Sequence, residues 1–280
     1  MGNPPRRRAG YPTDLTDAQW QLIEPLLPAP ACTRPSGGRP ETNDRRDVIN
    51  AIFYVVDNGI KWRAMPSEYP PWSSVYKHFA RWAEDGTVLH ICNELARMIR
   101  LSAGRCPRPV TGIIDSQSVK AAETVGKASR GYDAGKKING RKRHVLVDMF
   151  GLPIAVLVTP ADIRDGDAAQ VLLVDCRQDN PQLAMIWGDS AYGGNLIEWA
   201  EDELRITVKT VRPLPDQVGF KVHPRRWRVE RSLSWITQRR RNARDYERRA
   251  DYSAAHILWA FVLVMTRRLT RKRPTPRRAR

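Results

Sequence analysis

The chain has 280 residues, enough to bury a substantial core as one large domain or as a catalytic domain with a smaller partner. With 41% hydrophobic and 28% charged residues its balance is globular. A formal net charge of +17 argues against a small-molecule enzyme, because so positive a surface repels itself unless a polyanion neutralises it; nucleic acid is the default partner. Only 10 of the 47 basic residues are Lys, an Arg excess that codon bias also explains, although bias does not account for the surplus over acids.

The segments 1–10 and 271–280 are basic, contain proline and carry nothing to bury, so they read as flexible arms. From Tyr11 to about residue 104 the pattern is helical. Thr16 with Gln19 forms a capping-box signature ahead of Trp20, Ile23 and Leu27. A second helix carries Val48, Ile49, Ile52, Phe53 and Val56 and ends at Asn58 and Gly59, a left-handed C-cap. Ser73 or Ser74 is expected to cap a third, with Val75, Phe79 and Trp82 inward and Lys77 and Arg81 outward; a fourth runs from Thr87 to Leu101. A basic outward face permits a helix-turn-helix reading, and an ordinary helical bundle fits the pattern equally.

Near Cys106 to Pro109 the texture changes, and strand-length apolar runs begin to alternate with helical ones. The predicted strands are 111–115, 144–149 and 153–158, the last two joined as a hairpin at Phe150 and Gly151, then 184–189 and 205–210. Asp165 or Asp167 is expected to cap a helix through Val174, another covers Asn195 to Leu204, and a long Arg-rich helix starts near Pro224. Ala254 to Met265 is too short an apolar run to span a bilayer and reads as a buried helix. This order predicts an α/β fold: a mixed sheet with flanking helices at 105–270, preceded by a small all-α unit at 11–104. The four cysteines lack paired close spacing and read as reduced thiols, and MGNPPRRRAG has no secretion-signal core; the expectation is a cytoplasmic protein.

In the predicted sheet Asp115 ends the first strand and Asp189 the fourth, each followed by Ser. If those strands are neighbours, their carboxylates converge where oxygen ligands for Mg²⁺ are wanted. Glu230 is the candidate third acid, one residue round from the apolar seam of Val229, Leu233 and Ile236. Clustered acids in so positive a protein suit phosphoryl transfer on DNA, in which two metal ions activate the attacking oxygen and stabilise the leaving one. Lys136, Lys137, Arg141, Lys142 and Arg143, in a Gly-rich segment between the first two strands, and Arg226, Arg231, Arg239 and Arg240 on the Arg-rich helix are candidate phosphate contacts, with Lys77 and Arg81. The pattern alone leaves other readings open: the two Asp as strand-end turn formers, Glu230 as a partner of Arg226 one turn earlier, Asp148, Asp162, Asp165 and Asp167 as competing acids, and Tyr192 as a covalent nucleophile.

At these positions GIIDSQSVK, GYDAGKKINGRKRHVLVD, GLPIAVLVTPADIRDGD, WGDSAYGG and RWRVERSLSWITQRRRNARDYER resemble bacterial insertion-sequence transposases of the insertion-sequence-five family. The likeness extends to LTDAQWQLIEPLLP, GRPETNDRRDVINAIFYVVDNGIKWRAMP and WSSVYKHFARW, and so covers most of the chain. It implies a ribonuclease-H-like catalytic fold in which Asp115, Asp189 and Glu230 (the DDE triad) hold two Mg²⁺ or Mn²⁺ ions. It also implies binding of terminal inverted repeats by the N-terminal unit, action on double-stranded target DNA as a homo-oligomer, and a nucleoid-associated location in a bacterial cytoplasm. An inactive descendant acting as a repressor is the alternative. The family's C-terminal signature sets a Tyr, an Arg and a Lys around its Glu; Arg226 matches, whereas His223 and Thr237 stand where Tyr and Lys are expected.

Overall fold

The computed structural model describes residues 10–33, 37–38, 40–211 and 226–271. The proposed terminal arms therefore lie almost wholly outside the described residues, as do Pro224, Arg225 and His223.

Four helices open the chain: α1 (Asp17–Ile23), α2 (Arg45–Asn58), α3 (Trp72–Glu84) and α4 (Thr87–Ser102). Thr16 forms the capping box with Gln19, and Gly59 closes α2 at φ 69°, as the sequence suggests. The start of α3 differs: Pro71 precedes its first residue, and Ser73 and Ser74 lie inside the first turn without capping it. The fixed φ of Pro71 sets the helix entry instead.

The sheet contains β1 (Thr111–Lys120), β2 (Gly131–Asp133), β3 (Ile138–Asp148), β4 (Pro153–Pro160), β5 (Met185–Gly188) and β6 (Thr207–Thr210). Its order is β2-β3-β1-β5-β6, with β4 also on β3. β1, β3 and β4 are antiparallel neighbours, while β5 runs parallel to β1 and β6 parallel to β5. Between them come α5 (Asp165–Asp179) and α6 (Asn195–Leu204), then α7 (Trp227–Thr237) and α8 (Ala250–Thr270). This mixed, curled sheet flanked by helices and preceded by a helical region is the expected ribonuclease-H-like arrangement.

Period-two alternation divides the sheet between two cores. Ile113, Val145 and Val147 pack with α7, α8 and the N-terminal helices, whereas Ile114, Leu146 and Ile154 pack with α5 and α6. The segment 254–265 lies within α8 and is largely buried, as its apolar run implies. The N-terminal helices thus share a continuous core with one face of the sheet.

Three further expectations need correction. β1 does not end at Asp115: Ser116 to Lys120 continue the ladder, with Ser116 opposite His144 and Lys120 opposite Gly140. The second half of the Gly-rich basic segment is therefore β3, not a loop. Neither Asp165 nor Asp167 caps α5; both sit in its first turn behind Arg164, where negative charge complements the helix dipole. Lastly, the Arg-rich stretch is not one long helix. α7 stops at Thr237, whose hydroxyl turns back to the Leu233 and Ser234 carbonyls, and Arg240–Asn242 form a separate short turn.

Candidate active site

Asp115 lies in mid-β1, and alternation sets it on the same face as Ile113, the face covered by α7. Asp189 directly follows β5, the parallel neighbour of β1, so the two aspartates come from adjacent strands. Glu230 arrives from α7, whose Val229, Leu233 and Ile236 are buried in the core, and it stands beside that seam with its side chain 44% exposed. α7 is also pinned to the β3–β4 hairpin: the Ser232 hydroxyl donates to the Gly151 carbonyl at 2.7 Å and Arg231 donates to the Phe150 carbonyl at 2.8 Å.

The three acids meet around one guanidinium. Arg226 Nη2 lies 3.8 Å from Asp115 Oδ2, 3.9 Å from Asp189 Oδ2 and 3.8 Å from Glu230 Oε1. Each aspartate anchors its other oxygen to its own chain: Asp115 Oδ1 accepts from the Ser116 N–H at 2.8 Å, and Asp189 Oδ1 from the Ala191 N–H at 2.9 Å. One oxygen of each is thereby fixed and the other presented to a shared position for positive charge. Burial pushes the Asp115 carboxyl up to about 6, against the Ser116 N–H and the charge of Arg226, with Asp189 adding to the rise. Carboxylates that repel one another around a central cation are the donor chemistry that hard divalent ions require. Among the described residues no three acidic, His or Cys side chains stand close enough together to hold an ion as they are, and the Arg226 guanidinium lies between these three acids.

The predicted basic contacts separate into two groups. Lys136 and Lys137 are exposed, and Lys136 reaches the site, its Nζ 3.4 Å from the Ser116 carbonyl, while its charge acts on Asp115. Lys77, Arg81 and Arg240 are also exposed, and Arg231 is half-buried. By contrast Arg141, Lys142 and Arg143 are buried residues of β3, each with a partner inside the protein. Arg141 is spent on Asp245, Ser129 and the Glu247 and Arg248 carbonyls. Arg143 donates to the Asn242 carbonyl at 2.6 Å, and Lys142 to the Ile163 carbonyl at 2.8 Å beside Asp165. Arg239 is held by Asp57 of α2.

Among the competing acids, Asp148 and Asp165 have structural partners, Asp165 pairing with Lys142. Asp148 pairs with Arg100 at 2.7 Å and accepts from the Phe150 and Leu152 N–H groups. Tyr192 is 1% exposed beneath the acids, its ring against Gly188, so its hydroxyl is not a nucleophile available to DNA. Sequence reasoning missed the position of Arg226 between all three acids; its spacing of four from Glu230 shows only the helical pair.

A ribonuclease-H-like sheet that gathers acids from two neighbouring strands and one helix defines a class of polynucleotidyl-transfer proteins. Within that class, the family described as "Transposase DDE domain" matches residues 107–265. The family described as "Putative transposase of IS4/5 family" matches residues 15–92. The chain belongs to the DDE transposases of insertion sequences, a family whose domains use divalent metal ions. It is similar to the insertion element IS402 uncharacterized 16.2 kDa protein of Burkholderia cepacia, 39% identical over 56 residues, 19% of this chain and 37% of that protein. It is also similar to the uncharacterized protein y4sN of Sinorhizobium fredii, 30% identical over 83 residues, 30% of this chain and 63% of that protein. Each match spans less than two thirds of the relative's own length. Among the described residues no helix is long and apolar enough to cross a membrane.

Proposed function

We propose that this transposase binds the terminal inverted repeats of an insertion sequence and cuts and joins DNA strands at Asp115, Asp189 and Glu230. The observation that carries this reading is the approach of all three carboxylates to Arg226 Nη2 at 3.8–3.9 Å from three separate elements. Two divalent ions, Mg²⁺ or Mn²⁺, when bound there would supply Lewis-acid activation of the attacking and leaving oxygens. The chain's own part is orientation. The Ser116 and Ala191 N–H groups fix the two aspartates, and the buried seam of α7 fixes Glu230. Arg226, with a planar fork of donors, is suited to a phosphate once other cations neutralise the acids. Exposed Lys136, Lys137, Lys77, Arg81 and Arg240 supply sequence-independent affinity for the backbone, and the active species is a homo-oligomer on double-stranded DNA.

Replacing Glu230 with Gln tests the assignment. Cleavage of end-containing DNA with Mg²⁺ is expected to vanish while binding of that DNA survives. Cleavage by the variant at the wild-type rate would refute it.

A further inference from the structure

Beside Glu230 the outer surface of α7 forms, with the β3–β4 hairpin and the end of α8, a cleft of about 590 Å³. Arg228 and Arg231 of α7, Arg267 and Arg268 of the last turn of α8, and Arg271 just beyond line it, and no carboxylate does so among the described residues. None of these five arginines forms an ion pair among the described residues. Two acids reach them by charge and each is committed elsewhere: Asp148, which acts on Arg231, pairs with Arg100 at 2.7 Å, and Asp57, which acts on Arg267, pairs with Arg239.

Aromatic rings stack on three of the guanidinium groups. Trp227, Arg231 and Trp235 share one stripe of α7, and the Arg231 guanidinium lies 4.6 Å from one indole centroid and 4.7 Å from the other. Arg228 also stacks on Trp227, and Arg268 on Phe150. Ordinary structural roles do not account for this. Cations in the last turn of α8 answer a helix-end charge of only about half a unit, far short of five. The Arg231 bond to the Phe150 carbonyl and the Arg267 bond to the Pro12 carbonyl explain two residues of the five.

Resting on the reading of the triad as a DNA-cutting site, we propose that this cleft is a second DNA-backbone site, holding phosphates of the same duplex that is cut at Glu230. Charge complementarity selects the occupant: an uncompensated row of cations calls for a polyanion. Geometry fits as well. The eight residue steps of helix from Trp227 to Trp235 span about 12 Å, roughly three nucleotides of one strand. Arg231 adjoins Glu230 in sequence, so a duplex at the triad continues naturally into the cleft.

The test is the salt dependence of binding to a fluorescein-labelled duplex long enough to cover both sites, read by anisotropy. For Arg228→Gln combined with Arg268→Gln, the slope of log K against log salt is expected to fall by about 0.9 for each phosphate no longer neutralised, close to two in all. Arg249→Gln, an exposed arginine paired with Glu84 and Asp251 elsewhere, is expected to keep the wild-type slope. A wild-type slope in a folded double variant would overturn the second site while leaving the triad reading intact. Failure of the wild-type protein to bind duplex at all would overturn both. If the double variant does not fold, phenylglyoxal modification of the wild-type protein decides: the duplex should protect Arg228 and Arg268, and equal modification with and without DNA would refute the proposal.

Discussion

Arg226 at the entry to α7 faces Asp115 in the middle of β1 across 3.8 Å, and the same nitrogen lies equally near Asp189 and Glu230. One positive charge thus serves three negative ones. Removing it by Arg226→Ala leaves three carboxylates with only the weaker charge of Lys136 to offset them, so the metal-free variant is expected to melt below wild type. Added Mn²⁺ should raise Tm more in the variant than in the wild type, because the ion no longer competes with the guanidinium and stabilisation grows as RT ln(1 + [L]/Kd). A thermal shift series in Mn²⁺ checks this; equal shifts in both proteins would show that Arg226 and metal do not share the position.

Asp115 gives a prediction whose sign depends on pH. Burial raises its carboxyl to about 6 in the fold, above its ordinary value of 3.8. A group raised in this way contributes stability below the unfolded value and loses it as pH rises through the folded one. At alkaline pH without metal the ionised carboxylate is therefore destabilising. Asp115→Asn is expected to abolish cleavage yet stabilise the metal-free protein there by about 1–3 kcal/mol, the free-energy equivalent of so raised a carboxyl. The gain should disappear in acid below the unfolded value. Denaturant titrations at the two pH extremes measure it, and a variant less stable than wild type throughout would contradict the burial argument.

The positioning of Glu230 runs through a glycine. Gly151 has φ 77°, and a Cβ on it would stand 2.7 Å from Ser232 Oγ, the group that ties α7 to the hairpin. Gly151→Ala combines left-handed strain with displacement of that hydroxyl, at an expected cost of about 1–2 kcal/mol. Because the displaced helix carries Glu230, the cleavage rate should fall several-fold more than DNA affinity. Parallel measurement of the two separates positioning from general loosening: equal losses would deny the hairpin a role in placing the acid.

These residues also show what the sequence discloses. Asp115 and Asp189 stand out because each ends an apolar run, and Glu230 because Val229, Leu233 and Ile236 mark the buried side of its helix. The fate of Arg141, Lys142 and Arg143 was not legible. Charged side chains are buried only when paired, and their partners are Asp245 for Arg141, the Ile163 carbonyl for Lys142 and the Asn242 carbonyl for Arg143, groups that only the folded topology brings alongside. The continuation of β1 past Asp115 was hidden for the same reason. Ser116 to Lys120 carry no sustained apolar signal, and their strand conformation comes from pairing with β3.

Glu247 links the basic turn after α7 to the N-terminal helices and carries an acid-dependent share of stability. Its Oε1 accepts from Arg241 Nε at 2.9 Å and Nη2 at 2.5 Å, while Arg241 Nη1 donates to the Ile60 carbonyl just beyond α2 at 2.9 Å. Burial alone would raise this carboxyl, but His256 and Arg241 hold it down at about 2, below its ordinary 4.5. A depressed acid contributes stability above its unfolded value, and that contribution is lost as pH falls from about 4.5 toward 2. Glu247→Gln leaves a buried guanidinium without its counter-charge, a change that typically costs about 3–5 kcal/mol. The variant should be destabilised by that order at neutral pH, and the gap between it and wild type should close across the same acid window. Urea unfolding at a series of pH values follows both curves; a gap that stays constant into strong acid would show that the ionised carboxylate is not what holds Arg241 in place.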